Sequence, residues 1–314
     1  LLGLLLSGVL LLLARLFMAK DYSPQFTPAL QFGIFTAGLI ALMAVMAFIW
    51  SFQQMPKIIT GQQFYELAFW GGGHVLQFVH TQIMMVCWFL LIVSLQPDFT
   101  LRLPVFKMLF SFGLVSALIV PLVYFRHDIT SMEHREFFTF GMIMAGGIAP
   151  SLLALYILPP LWKSRGERNG AKRALWSTLL MSLALFIYGG VLGSSIQGQN
   201  VIIPAHYHGS IVGVTLAFMG AAYLMLPQFG YKDVSGWKLA YWQPIVYGGG
   251  QLMHISGLAW SGGYGVLRKT PGGLANVSPD VKAAMGMMGL GGLIAIIGGF
   301  MFVIVVGKAV LKRP

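Results

Sequence analysis

A chain of 314 residues that is 57% hydrophobic and only 9% charged is not a soluble globular domain, where about a quarter of the residues carry charge. Its formal net charge of +11 would suit a nucleic-acid binder. Here the basic residues lie between apolar runs, so a membrane surface accounts for them and no nucleic-acid partner is expected. A single cysteine, Cys87, excludes an internal disulfide, a CxxC metal site and any multi-cysteine cluster.

Taken in chain order, apolar runs long enough to cross a bilayer fall at residues 1–19, 28–51, 65–95, 105–125, 137–160, 174–196, 205–227, 240–263 and 284–308. The first, "LLGLLLSGVLLLLARLF", reads as a span rather than a signal-peptide core, by its length and by the membrane character of all that follows. No run alternates with period two, which excludes a β-barrel. The expected fold is all-α, a polytopic transmembrane bundle of about nine helices forming one domain over residues 1–314.

Loop charges orient the bundle. The first, third, fifth and seventh loops and the C-terminus hold thirteen basic residues. The opposite side holds six: Lys57, Arg126, Arg135, Arg268, Lys269 and Lys282. The richer side is expected to be cytoplasmic, with the C-terminus inside and the host membrane a prokaryotic plasma (inner) membrane. This orientation puts all seven histidines in the outer half of the bundle. Intramembrane ionisable residues are costly and mark function, so the layer reads as a cofactor layer.

Four segments carry that layer. In "WGGGHVLQFVHTQ", three glycines before His74 would let a bulky group approach the backbone, and Gln77 shares the His74 face. The same glycines would also serve tight helix packing alone. His80 points elsewhere, as a packing or surface residue. In "YFRHDITSMEHREFF", His127 is a candidate metal ligand with Asp128 adjacent, while the density of charge makes the segment a solvated loop to which His134 belongs. In "AHYHGSIVGVTLAFMGAAYLMLP", His206 and His208 stand about 200° apart around a helix. They need two separate partners, either helix neighbours or metal centres such as haem iron. In "MHISGLAWSGGYGVLRK", His254 precedes the cations Arg268 and Lys269, suited to haem propionates or to lipid phosphate.

In this order the four segments resemble subunit I of the heme–copper oxidase superfamily, over about residues 65–310. "FWGGGHVLQF" is similar to the GH-x-V segment of the family's sixth helix. "AHYHGSIVGVTLAFMGAAYLMLP" is similar to the A-H-F-H motif and following G-x-x-Y-x-L-P of its tenth. "MHISGLAWSGGYGVLRK" is similar to the H-x-x-GL segment of its eleventh, and the nine spans match the family's last nine helices. The resemblance implies that His206 ligates a high-spin haem, where gas is reduced, and His208 a low-spin haem. It implies His74 as first ligand of a copper or non-haem iron opposite the high-spin haem. His254, Arg268 and Lys269 are implied on the cofactor-binding side, the cations holding propionates.

The departures shape the expectation as much. The family helix that supplies the second axial histidine of the low-spin haem has no counterpart: either another membrane subunit shares that haem and supplies the missing N-terminal helices, or the sequence is incomplete, or His208 has lost its haem. Where the family has two adjacent histidines, this chain reads Phe125-Arg126-His127, leaving Gln77 or Asp128 to complete a metal with His74 and His127. The family's cross-linked tyrosine is replaced by Phe78, with Tyr124 as a candidate substitute. There is no copper-A or c-type haem motif, so electrons must come from a donor subunit. The expected function is reduction of O2 or NO at the high-spin haem within a respiratory complex in the lipid bilayer. Two other readings stand beside it: a haem-bearing electron-transfer subunit with a degenerate binuclear centre, and a structural membrane subunit that has lost its cofactors.

Overall fold

The computed structural model describes residues 27–99, 102–198, 200–266 and 278–311. The expected first span at 1–19 and the cations Arg268 and Lys269 lie outside them. The described residues form α1 (Thr27–Gln53), α2 (Gly61–Leu95), α3 (Leu103–Arg126), α4 (Met132–Gly141), α5 (Ala149–Lys163), α6 (Arg173–Ser194), α7 (Ile202–Met225), α8 (Lys238–Gly263) and α9 (Pro279–Leu311). A π-helical stretch, Met142–Ile148, joins α4 to α5 in one rod, so the described helices number eight continuous rods. The π-turns precede Pro150, whose missing N–H cannot bond the carbonyl four residues back; widening the turn is one way a helix passes such a gap.

Seven of these helices are long and apolar enough to cross a membrane, and the chain is an integral membrane protein. The expected span at 240–263 is a helix of sufficient length, α8, but is not one of the seven. Its sequence spends too many positions on Gly, Gln, His and Ser. Some of these polar positions face inward: Gln243 and Ser261 are buried.

The chain divides into two compact units. In the first, residues 27–86 and 102–156, α1, α3 and the first part of α2 pack through a shared apolar cluster that includes Ile40, Val75, Phe78, Val120 and Phe138. Polar contacts fix the register. The Gln82 amide donates to the Phe110 carbonyl at 2.7 Å, and the hydroxyls of Ser51 and Tyr124 lie 2.8 Å apart. In lipid such bonds discriminate between helix registers, because an unmatched polar group has no water to turn to.

The second unit, residues 87–99 and 157–311 among those described, is held by backbone-to-backbone approach. On α8 and α9, glycines recur seven residues apart. A Cβ on Gly250 would sit 2.5 Å from the Ala295 nitrogen, and one on Gly257 would sit 2.6 Å from the Ala284 carbonyl. Side chains at Gly291 and Gly298 would collide with the backbones of His254 and Tyr247. The pair α6 and α7 repeats the device, since a Cβ on Gly209 would be 2.7 Å from the Gly189 Cα. Around these seams run buried hydrogen bonds from Trp88 to Ser182 at 2.7 Å, from Ser182 to the Gly213 carbonyl at 2.6 Å, and from Tyr223 to Gln243 at 2.9 Å.

Gly291→Val should overpack the α8–α9 seam and cost about 1–3 kcal/mol, lowering the unfolding temperature of the detergent-purified protein. Gly299→Ala, where nothing lies within 4 Å of the added methyl, should leave that temperature unchanged.

Candidate functional site

Four histidines on membrane helices share one arrangement. The Nδ1 of His74 lies 2.6 Å from the Trp70 carbonyl oxygen, and that of His206 lies 2.7 Å from the Gly189 carbonyl oxygen. The Nδ1 of His208 lies 2.8 Å from the Pro204 carbonyl oxygen, and that of His254 lies 2.9 Å from the Met288 carbonyl oxygen. A carbonyl oxygen only accepts, so in each ring Nδ1 is the protonated donor and Nε2 carries the lone pair. No hydrogen bond is made to any of the four Nε2 atoms among the described residues. A backbone carbonyl that fixes the tautomer and orients the ring is what a metal-ligating histidine requires.

In the second unit, His206 and His208 face different helices, as their spacing predicts. His206 lies over Gly193 of α6, where a Cβ would come within 2.6 Å of its Nδ1. Its own Nδ1 reaches the Gly189 carbonyl on the same helix. The glycines of α6 are thus a cradle for this imidazole. His208 turns toward α8, its ring centroid 5.4 Å from that of His254. His254 is steadied from the other side by the Met288 carbonyl of α9. All three rings are half-buried. Beside them the backbone leaves room. At Gly292 a Cβ meets only the His254 ring, at 3.4 Å. A neutral imidazole donor with an oriented Nε2, set among glycines that let a flat ring approach, fits haem iron.

In the first unit, His74 is half-buried and stacks on Trp70, centroids 4.6 Å apart. Tyr124 is buried, paired with Ser51 and laid over Gly71, where any side chain would strike its hydroxyl. Gln77 is exposed and makes no side-chain hydrogen bond among the described residues. His80 is also exposed, and His127 is half-buried at the C-cap of α3. Asp128 accepts from the Thr130 hydroxyl at 2.5 Å and the Thr130 backbone N–H at 2.7 Å. Those two bonds, both to Oδ1, hold its carboxyl below the usual carboxylate range. No group of three His, Cys, Asp or Glu able to hold a metal exists among the described residues.

His134 corrects the sequence expectation. The solvated loop ends at Ser131, whose hydroxyl accepts the His134 backbone N–H and caps α4. The charged run from Met132 onward is helical, and His134 is fully buried at 0% exposure. It packs edge-on to Tyr124 and to Phe138, each at 5.0 Å. Neither ring nitrogen has a partner among the described residues. Composition points outward here because Glu133, Arg135 and Glu136 surround it. Only the helical phase turns the imidazole inward.

These observations define an all-helical integral membrane protein with imidazoles oriented by backbone carbonyls on several of its helices. No family model matches the chain. The uncharacterized protein RP382 of Rickettsia prowazekii (strain Madrid E) is 34% identical over 352 aligned positions, covering 98% of this chain and 68% of that protein. The chain belongs to the same family as that protein. An uncharacterized protein of Aquifex aeolicus (strain VF5) is 24% identical over 205 positions, covering 64% of this chain and 48% of its own length. Among solved structures, a heme-copper terminal oxidase dimer determined by cryo-EM superposes with a TM-score of 0.69 at 18% identity. The match covers 92% of this chain and 57% of the oxidase chain. At that identity the likeness establishes a shared fold. Eight helices stand in the described part, where nine spans are expected over the full length.

Buried nitrogens without partners cost roughly 1–3 kcal/mol. His134→Phe keeps the ring packing and removes both, so thermal unfolding in detergent should occur at an unchanged or higher temperature. His134→Ala should instead open a cavity and lose about 2–4 kcal/mol.

Proposed function

We propose that this chain is the haem-binding, catalytic-type subunit of a membrane respiratory complex, reducing O2 or NO at a high-spin haem held by His206. The observation that carries this reading is the shared tautomer of His206 and His208. Two imidazoles on opposite faces of one helix each present a free Nε2 with Nδ1 tied to a backbone carbonyl. The fold common to this chain and a heme-copper terminal oxidase supports it. When bound, the haem would supply a redox-active iron able to take electrons and bind a diatomic gas.

The chain's own residues would do the rest. Gly189 and Gly193 hold the His206 ring in one orientation, from which its Nε2 would be presented to a haem. Gly292 leaves the space against the His254 ring free of a side chain. Tyr124 and Ser51 form a buried hydroxyl pair with oxygens 2.8 Å apart, either of which can donate to the other. A phenol so placed is the best candidate for a proton-holding group in the first unit. Arg268 and Lys269 would neutralise propionates at the membrane surface. Electrons would come from a donor subunit, because the chain has no sequence motif for a covalently attached haem or a copper-A centre.

A second reading, electron transfer through haem without gas chemistry, is favoured by one observation. The residues available to a second metal form no ligand cluster among those described, and Phe125-Arg126-His127 offers a single imidazole. Carbon monoxide separates the two. With catalysis at His206, the reduced protein should show a CO-shifted haem spectrum, and His206→Ala should abolish the shift while sparing any low-spin signal. A CO signal unchanged in His206→Ala would remove His206 from the high-spin iron. Haem without any CO shift in the wild type would select the electron-transfer reading.

A further inference from the structure

We propose that the basic turn after α5 is a binding site for the phosphodiester of an anionic phospholipid, held by Arg165 and Arg168 with Lys163 beside them. The site lies wholly within the second unit and is independent of any haem.

Five cations and one acid fall between Lys163 and Arg173, and the structure divides the five into two groups. Lys172 and Arg173 are spent on the protein itself. The Lys172 ammonium donates to the Ser94 carbonyl, and the Arg173 guanidinium donates to the carbonyls of Gly170 and Asn169 at 3.2 and 3.3 Å. Those bonds tie down a 3-10 turn, Ser164–Asn169, between α5 and α6. Lys163, Arg165 and Arg168 are exposed, and their side chains donate to no carbonyl or carboxylate among the described residues. Neither neighbouring acid neutralises them. Glu167 accepts the Lys172 backbone N–H at 3.1 Å. Asp233 accepts the Ser235 backbone N–H at 2.8 Å, on the loop whose Ser235 carbonyl receives the Ala174 N–H.

Two indoles hold the free arginines in place. Arg165 lies over the Trp162 ring at 5.3 Å and Arg168 over the Trp176 ring at 6.0 Å. Trp176 is fixed in turn, its Nε1–H donating to the Leu161 carbonyl at 3.2 Å. Residues three apart eclipse in a 3-10 helix, so both arginines start from one side of the turn. A guanidinium laid on an indole face keeps its N–H edge free, and that fork matches the oxygens of a phosphate. The occupant follows from where the turn sits. It continues directly from α5, whose last turns expose Leu158, Pro159 and Trp162, the last at 67%. Their spacing puts them on one face of the helix. An apolar track thus ends at a boundary tryptophan and then at cations, which suits acyl chains along α5 and a headgroup at the turn. A soluble phosphate would leave Leu158 and Trp162 unused.

The test uses the full-length protein, delipidated in neutral detergent and titrated with phosphatidylglycerol, phosphatidylcholine or inorganic phosphate. Native mass spectrometry counts the bound lipid, and thermal unfolding reports its effect on the fold. Wild type should retain phosphatidylglycerol and unfold at a higher temperature with it, and should do neither with phosphatidylcholine. Arg165→Gln with Arg168→Gln should raise the phosphatidylglycerol Kd by about tenfold. Arg165→Lys keeps the charge and loses the planar fork, so it should weaken binding as well, by a smaller factor. Lys308→Gln removes an exposed cation at the end of α9 and should leave the Kd unchanged. Lipid-free unfolding at the wild-type temperature shows that the surface variants are folded. Equal binding of the two lipids overturns the proposal, as does wild-type affinity in the double arginine variant. Equal losses in Lys308→Gln and the double variant also overturn it, since they mark a diffuse surface charge. Displacement of the lipid by millimolar inorganic phosphate would make this a soluble-anion site and overturn the lipid as occupant.

Discussion

Helices in lipid gain nothing from burying apolar side chains against one another, since the acyl chains are equally apolar. Close backbone approach supplies what the hydrophobic effect does not, and here it depends on glycine. The seam between α8 and α9 is set by Gly250, Gly257, Gly291 and Gly298, each so near the opposing backbone that a methyl group would overlap it. The seam between α6 and α7 rests on Gly189 and Gly209 in the same manner. Dispersion between closely opposed backbones is weak per atom and large in sum, and these two contacts hold the second unit together. The buried bonds from Trp88, Ser182, Tyr223 and Gln243 then fix which of several possible registers is adopted.

Those seams also build the chemistry. The carbonyl that orients His206 belongs to Gly189, a seam residue, and the ring occupies the space that Gly193 leaves vacant. The carbonyl that orients His254 lies on α9, brought within reach because Gly257 lets the Met288 backbone close on α8. Packing and ligand orientation are thus one arrangement. A substitution that loosens the seam moves the imidazole with it, and the site has no separate scaffold to fall back on.

The first unit is built differently, and its imidazoles are correspondingly less well placed for a metal. His74 has the oriented tautomer, but His127 stands at a helix end and the Asp128 carboxylate is engaged by its own turn. What the unit does concentrate is a buried group of Tyr124, His134 and Phe138 beneath Ser51. The membrane places a high cost on such polarity, and satisfying the phenol while leaving the imidazole unpaired is the least resolved polar arrangement in the described residues.

Much was legible before any coordinates. Hydropathy alone located seven spans among the described residues, because the bilayer sets one length and one composition for all of them. The 200° offset of His206 and His208 followed from the pitch of an α-helix. The α8 helix was also located, although its polar residues keep it out of the seven helices apolar enough to cross a membrane. Sequence by itself could not decide which carbonyl each imidazole meets, since Gly189 and Met288 lie 17 and 34 residues from their histidines. Nor could it place His134, whose neighbours in sequence are charged while its neighbours in space are aromatic. Composition and periodicity fix which segments enter the membrane and which face a residue occupies; they are local properties, summed along one helix. Tautomer, ring orientation and the facing of His208 on His254 are properties of pairs of helices, and only their packing decides them.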